Sequence, residues 1–276
     1  MKHLIITAIL CGMLGSVHAQ SKTDTLKTSA DTLIIKHKKH QGHVKMNWNF
    51  DTDSAREAKR AAERAKPKNG FSIGLTLDDF YLGFATLMDN GSFTLSQKNS
   101  FLNYNQAKTS DVGFTVFKFG YRFNQNFKVS LAAGFDWTLI RLQQNIDLVP
   151  DQPTLKYRVD TVNHYSKNRF SSNYLLLPLT FELRSKEDSH GKRFHFNFGP
   201  EGGFLIDGMQ KQISPERGKT KNFNDFHLTR FEYGAFTKIG YGSFGIFAKY
   251  YFNDMFENSP DQQGLKNFSF GLQFGF

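Results

Sequence analysis

Few residues in this chain have the types and spacing that chemistry needs. The run His37-Lys38-Lys39-His40-Gln41-Gly42-His43 brings three imidazoles together, a set able to ligate a metal. Its spacing suits neither one helix face nor one strand face, and the intervening lysines repel a cation, so a basic tail is the better reading. His195 with Glu201 or Asp207 could form a His–carboxylate dyad, but no serine occupies an evident nucleophile setting. Pairs of that kind inside a fold are commonly structural. Gly113, Gly120, Gly134 and Gly199 do not form a phosphate loop and instead suit relief of crowding in a tightly curved sheet. Cys11 is the only cysteine, and it lies in a segment read below as removed. Disulfides, thiolate nucleophiles and cysteine-ligated metals are then excluded together. The expectation is a non-enzymatic protein with no cofactor and no metal.

The elements that would position such residues fall into three parts. Lys2 and His3 precede an apolar stretch, Leu4 to Leu14, and Val17-His18-Ala19 supplies small cleavage-site residues. Residues 1–19 therefore read as a signal peptide, with an apolar run too short to cross a ~30 Å hydrocarbon core. Residues 20–69 are rich in Lys, Thr, Asp and His, the composition of a weakly ordered lead. Ser54-Ala55-Arg56-Glu57 resembles a capping box, and helix formers continue to Lys66 before Pro67. A short solvated helix near 54–66 is expected, with only Ala55, Ala58, Ala62 and Ala65 on its apolar face.

From Gly70 the period changes to two. Phe71, Ile73, Leu75 and Leu77 alternate with small and polar residues, and Thr115, Phe117, Phe119, Tyr121 and Phe123 do the same. Six further runs follow, over 127–139, 174–184, 194–207, 230–239, 244–252 and 268–276. Each has about the ~9–11 residues that a tilted strand uses to cross a bilayer. The connectors alternate in length: 89–109, 145–170 and 208–224 are long and polar and 257–265 is moderate, whereas 124–126, 185–192 and 240–243 are short. Alternation also reconciles 30 Phe with a mean hydropathy of −0.47. One face is greasy and the other wet.

The reading is all-β: an up-and-down antiparallel transmembrane β-barrel of eight strands over 70–276, behind a short helical or disordered periplasmic lead. A soluble sandwich would also alternate. It would need weak or charged edge strands, and none of the eight runs reads as one. Charges of both signs also occur in mid-strand on the wet face: Asp78, Lys118, Arg122, Asp136, Glu182, Glu201, Asp207, Arg230, Glu232, Lys238 and Lys249. An eight-stranded barrel is just wide enough to be filled by side chains, so these groups are expected to pair across the lumen. Tyr121, Trp137, Tyr174, Tyr233 and Tyr250 suit aromatic girdles at the interfaces. The formal charge of +10 fits outer-membrane lipid and lipopolysaccharide phosphates better than nucleic acid, which an exported chain does not meet.

The terminal run Phe268, Phe270, Leu272, Phe274, Phe276, the segment Tyr174-Leu175-Leu176-Leu177-Pro178-Leu179 and Gly199-Pro200-Glu201-Gly202-Gly203 resemble the outer-membrane β-barrel domain family of Bacteroidota, the broad group of PorT-like proteins. The resemblance covers 70–276 and is one of pattern. It implies that the five terminal residues are read by the outer-membrane assembly machinery. Three functions follow as expectations. The first is a structural or partner- and ligand-binding role through long extracellular loops. The second is a secretion or transport accessory that docks a periplasmic partner through residues 20–69. The third is a lipid-modifying enzyme. An even strand count puts both ends in the periplasm.

Overall fold

The computed structural model describes residues 70–75 and 79–275. The signal segment, the lead with its histidines and expected helix, Leu77, Asp78 and Phe276 lie outside the described residues. Among the described residues no helix is long and apolar enough to cross a membrane.

Among the described residues twelve strands follow one another: β1 (Gly70–Leu75), β2 (Phe80–Asp89), β3 (Ser110–Arg122), β4 (Phe127–Leu142), β5 (Ile146–Val149), β6 (Lys156–Val159), β7 (Lys167–Arg184), β8 (Phe194–Ser214), β9 (Gly218–Asn224), β10 (Phe231–Tyr241), β11 (Phe244–Tyr251) and β12 (Leu265–Phe274). Eight of them pair in the order β3-β2-β12-β11-β10-β8-β7-β4, and β4 pairs back onto β3. All these ladders are antiparallel, so the sheet closes into the expected eight-stranded barrel. Closure satisfies the backbone of every strand without leaving an edge to lipid.

The first barrel strand is made in two pieces. β1 pairs the lower half of β3, from Gly70↔Arg122 to Leu75↔Phe117, and β2 pairs the upper half from Tyr81↔Gly113. Between them Asp79 adopts a left-handed φ of 59°. The single run expected over 71–78 is therefore a broken strand, and β2 was not among the eight runs. Its inward residues Tyr81, Ala85 and Leu87 are apolar and buried, which erases the period-two contrast.

Two bulges reset which face a residue takes. The extra residue between Thr115 and Phe117 turns Thr115 inward, off the apolar face on which the period placed it. A second shift, where Asn173 faces Asp207 but Tyr174 faces Leu205, changes the parity of β8. Above it Gly208, Gln210, Gln212 and Ser214 are the buried set. Pro178 lies inward where the β4–β7 ladder skips from Leu131↔Leu179 to Gly134↔Leu176, so its missing N–H costs no pairing there. Gly271 faces Gly83 across β12 and β2, and a Cβ on it would stand 2.3 Å from the Gly83 Cα. Only glycine permits that approach.

The outward face is an apolar belt, with Leu82, Phe119, Leu131, Leu183, Phe198, Ile239, Ile246, Phe270 and Leu272 among its exposed members. So continuous a patch needs an apolar solvent. Along β4 it runs from Phe127 to Trp137, about 34 Å of strand, or about 26 Å of height at a tilt near 40°. That matches the ~25 Å apolar band of outer-membrane barrels. The lower rim has tight turns. Asn124 Oδ1 accepts from the N–H of Asn126 and of Phe127, both at 2.8 Å, and Gly242 supplies φ 65° between β10 and β11.

The long connectors at the other rim are folded rather than merely polar. The segment expected as a loop over 145–170 contains the β5–β6 hairpin and the first turns of β7, and 208–224 contains the end of β8 paired with β9. These segments close over a buried cluster of Phe101, Leu102, Ile146, Leu148, Leu155, Phe170, Phe226, Leu228 and Phe256, with Leu87, Ile140, Leu142 and Leu265 from the barrel mouth. Phe170 meets Phe226 edge-on at 5.6 Å and stacks on Phe256 at 6.1 Å. The cap thus has a packed core, continuous with the barrel mouth.

Candidate functional site: the lumen network and the cap

At mid-height β11 turns Lys249 into the lumen. Its Nζ lies 2.8 Å from Asp136 Oδ2 of β4 and 2.8 Å from Asp111 Oδ2 of β3. Tyr81 donates to Asp136 Oδ1 at 2.9 Å and Tyr251 to Asp136 Oδ2 at 3.0 Å. The ammonium also stands 4.4 Å from the centre of the Tyr81 ring. All five residues are buried. A buried charge left alone would be several kcal/mol unfavourable, so this amine is held by two carboxylates and a ring at once. Lys238 Nζ lies over the rings of Tyr81 and Phe236, at 5.6 and 5.3 Å. Glu201 and Glu232 face the same space, each with an Oε1 atom that has no hydrogen-bond partner. The cavity left among Glu201, Lys238 and Lys249 measures about 10 Å³, room for at most one water.

A second group fills the lower lumen. Lys118 donates to Asp79 Oδ2 at 2.9 Å, and Gln273 Nε2 donates to Asp79 Oδ1 at 3.2 Å. Glu182 accepts from Arg184 and lies 3.3 Å from His195 Nδ1.

The charges expected in the lumen are thus divided. Lys118, Asp136, Glu182, Glu201, Glu232, Lys238 and Lys249 point into it, and Arg122 is half-buried at the foot of β3. Two are placed elsewhere. Arg230 precedes β10 at the cap rim, exposed and 3.2 Å from Glu257. Asp207 stands in register with Asn173 and through it with Trp137, on the outward side, because the β8 bulge changed its parity. His195 is not near Glu201 either. Six residues of strand, about 20 Å, separate them, and its carboxylate is Glu182. Asp79, Tyr81, Asp111 and Tyr251 belong to the network but were not anticipated. Continuing the β3 alternation upward from Gly113 would have reached Asp111.

Of the expected girdle, Tyr121 lies outward near the lower rim and Trp137, Tyr233 and Tyr250 near the upper one. Tyr174 does not. It is buried and inward, its hydroxyl donating to the Thr229 carbonyl at 2.7 Å. Phe268, Phe270, Leu272 and Phe274 all lie on the outward face of β12.

The cap carries the other polar sites. Asp160 accepts from Tyr165 Oη at 2.5 Å, from Asn163 Nδ2 at 2.8 Å and from the Asn163 and Val162 amides. These bonds, the tyrosine's first, hold its carboxyl well below the usual carboxylate range. Glu216 accepts from the His164 amide and lies 3.1 Å from its Nδ1. Its own backbone amide, then His164, lower it to about 2. Between the loop after β2 and the loop before β12 lies an open cleft of about 840 Å³, lined by Asp89, Asn99, Lys98, Tyr250, Asp261 and Gln263 among others. Asn99 donates to Asp89 Oδ2 at 2.8 Å, while its own Oδ1 is buried without a partner. No group of His, Asp and Glu among the described residues could hold a metal ion.

Residues 145–257, from the first cap hairpin to the loop after β11, match the outer membrane protein beta-barrel domain. The chain is an outer-membrane β-barrel protein. Among solved structures it is similar to Ail, the attachment invasion locus protein of Yersinia pestis, in complex with the heparin analogue sucrose octasulfate. The identity is 15%, over 76% of this chain and 100% of that chain, with a TM-score of 0.32. Another crystal structure of Ail matches at 13% identity over the same shares, with a TM-score of 0.30. No curated protein sequence matches the chain. For an outer-membrane barrel, the network explains how strands with charged inward faces stay in the bilayer: the wall shields the charges from lipid, and Lys249 is neutralised across the lumen by Asp111 and Asp136.

Proposed function

We propose that this outer-membrane barrel is a sealed, non-enzymatic scaffold that works through its cap, with the long loops outside the cell and both ends in the periplasm. The observation that supports this most is the pairing of a lumen packed around Lys249 with loops folded over a buried core at the barrel mouth. Binding energy is better preserved on an ordered cap than on floppy loops, since less freedom is lost on docking. The open polar cleft beside Tyr250 is the surface offered to a partner or ligand. The outward residues of β12 are proposed as the strand that the assembly machinery reads.

Two measurements test this reading. Planar-bilayer recordings of the refolded protein should show no steady conductance, and a large stable current would overturn the sealed scaffold. A cysteine introduced at Arg217, in the exposed β8–β9 turn, should react with a membrane-impermeant maleimide on intact cells. Labelling only after cell disruption would overturn the orientation.

A further inference from the structure

The strands that rise above the apolar belt carry cations in register. Arg141 of β4 faces Arg169 of β7, Arg169 faces Lys211 of β8, and Lys211 faces Lys221 of β9. Four positive charges therefore stand side by side on one face of four neighbouring strands, about 15 Å across at ~4.8 Å per strand. One rung higher on the same face, Lys167 and Lys219 flank Ile213. Like charges directly opposite one another destabilise a sheet. No carboxylate interrupts either rung. The nearest acid on this outward face along β8 is Asp207, four residues below Lys211, about 14 Å away.

The height of the row identifies what it meets. The rung beneath it is Leu139, Ser171, Met209 and Phe223, and the rung beneath that contains Trp137. Phe223 is 56% exposed, an apolar ring directed away from the protein. The cations thus begin one rung above Leu139, Met209 and Phe223 and about 10 Å in height above the girdle residue Trp137, given the strand tilt. That is the depth of the headgroups, not of free solution. Arg141 is held in place by donating from Nη2 to the Ser166 carbonyl at 2.6 Å.

We propose that the Arg141–Arg169–Lys211–Lys221 row binds the phosphate groups of a phosphorylated glycolipid in the outer leaflet around the barrel. The proposal rests on the long-loop rim being the outer one, but its test does not. The full chain is refolded into phosphatidylcholine vesicles doped with lipid A bearing both phosphates, or with the same lipid A after phosphatase treatment, and lipid retained through detergent extraction is quantified. Wild type should retain the phosphorylated form preferentially. Each neutralised cation should weaken retention about fivefold, so Arg169→Gln with Lys211→Gln should weaken it roughly 25-fold while heat-modifiable gel migration persists. If that pair fails to fold, Lys221→Gln on exposed β9 should still show the fivefold loss. Equal retention of the two lipid A forms, or unchanged retention in a folded variant, overturns the proposal. So does binding of a soluble sulfated polysaccharide that phosphorylated lipid A fails to displace. Because vesicle binding does not depend on which rim faces out, its failure is distinct from failure of the orientation experiment.

Discussion

Lys249 Nζ and Asp136 Oδ2 lie 2.8 Å apart across the lumen, joined from strands 113 residues apart in sequence. Asp111 completes the triad at 2.8 Å from the same nitrogen. All three are at most 2% exposed, so their charges are compensated chiefly by one another, with Tyr81 and Tyr251 donating to Asp136.

Removing the amine should therefore leave two buried carboxylates without a cation. Lys249→Met is expected to cost about 3–5 kcal/mol of barrel stability. Combining it with Asp111→Asn and Asp136→Asn should restore most of that, since the penalty belongs to the unpaired charges. Urea titration followed by gel migration of the folded form reads both. A single variant as resistant to urea as wild type would contradict the triad's role.

Close approach of backbones at β2 and β12 gives a steric prediction. Gly271→Ala places a methyl against the Gly83 Cα and the Leu82 carbonyl, both within 2.5 Å, and should cost about 1–3 kcal/mol. Gly74→Ala in β1 meets nothing within 4 Å and should be nearly neutral. Equal urea midpoints for the two variants would show that the β2–β12 seam is looser than described.

The cap should be separable from the barrel. Phe226 is wholly buried among cap residues and joins Phe170 and Leu228 there. Phe226→Ala is expected to cost about 3–5 kcal/mol locally. Trypsin should then cut within 211–221 while the remaining protein still migrates as a folded barrel. Loss of barrel and cap together would show one cooperative unit.

Acid should loosen the cap hairpin first. Asp160 and Glu216 both have depressed folded pKa values, so each favours the folded cap fully above its unfolded value. For Glu216 that contribution begins to fade below about 4.5 and is gone once the pH has fallen through about 2. The amide resonance of His164, followed by NMR between pH 6 and 2, should shift as the pH falls toward about 2. Glu216→Gln should abolish the His164 change. A His164 response centred above pH 5 would rule out Glu216 as its source.

How much of this was legible beforehand follows from local periodicity. The runs over 127–139 and 268–276 showed their lipid face plainly because apolar and polar residues alternate without interruption, and β4 and β12 obey it throughout. β2 was hidden because its inward residues meet an apolar cap, and Tyr174 read as a girdle residue because nothing local distinguishes an inward tyrosine with a distant carbonyl partner. Asp207 and Thr115 changed sides at bulges, which insert one residue and invert parity with no change in composition.

The sequence by itself determined the export segment as an expectation, the eight-strand count, the alternation of long and short connectors, and a lumen that must be charged. Each of these follows from period, length and residue type, which are properties of neighbours along the chain. Only the tertiary structure decided which charges meet, that the long connectors build a capped core, and that four cations align across β4, β7, β8 and β9. Those facts depend on strand register, which is set by the energy of closing the whole barrel and is written in no single strand.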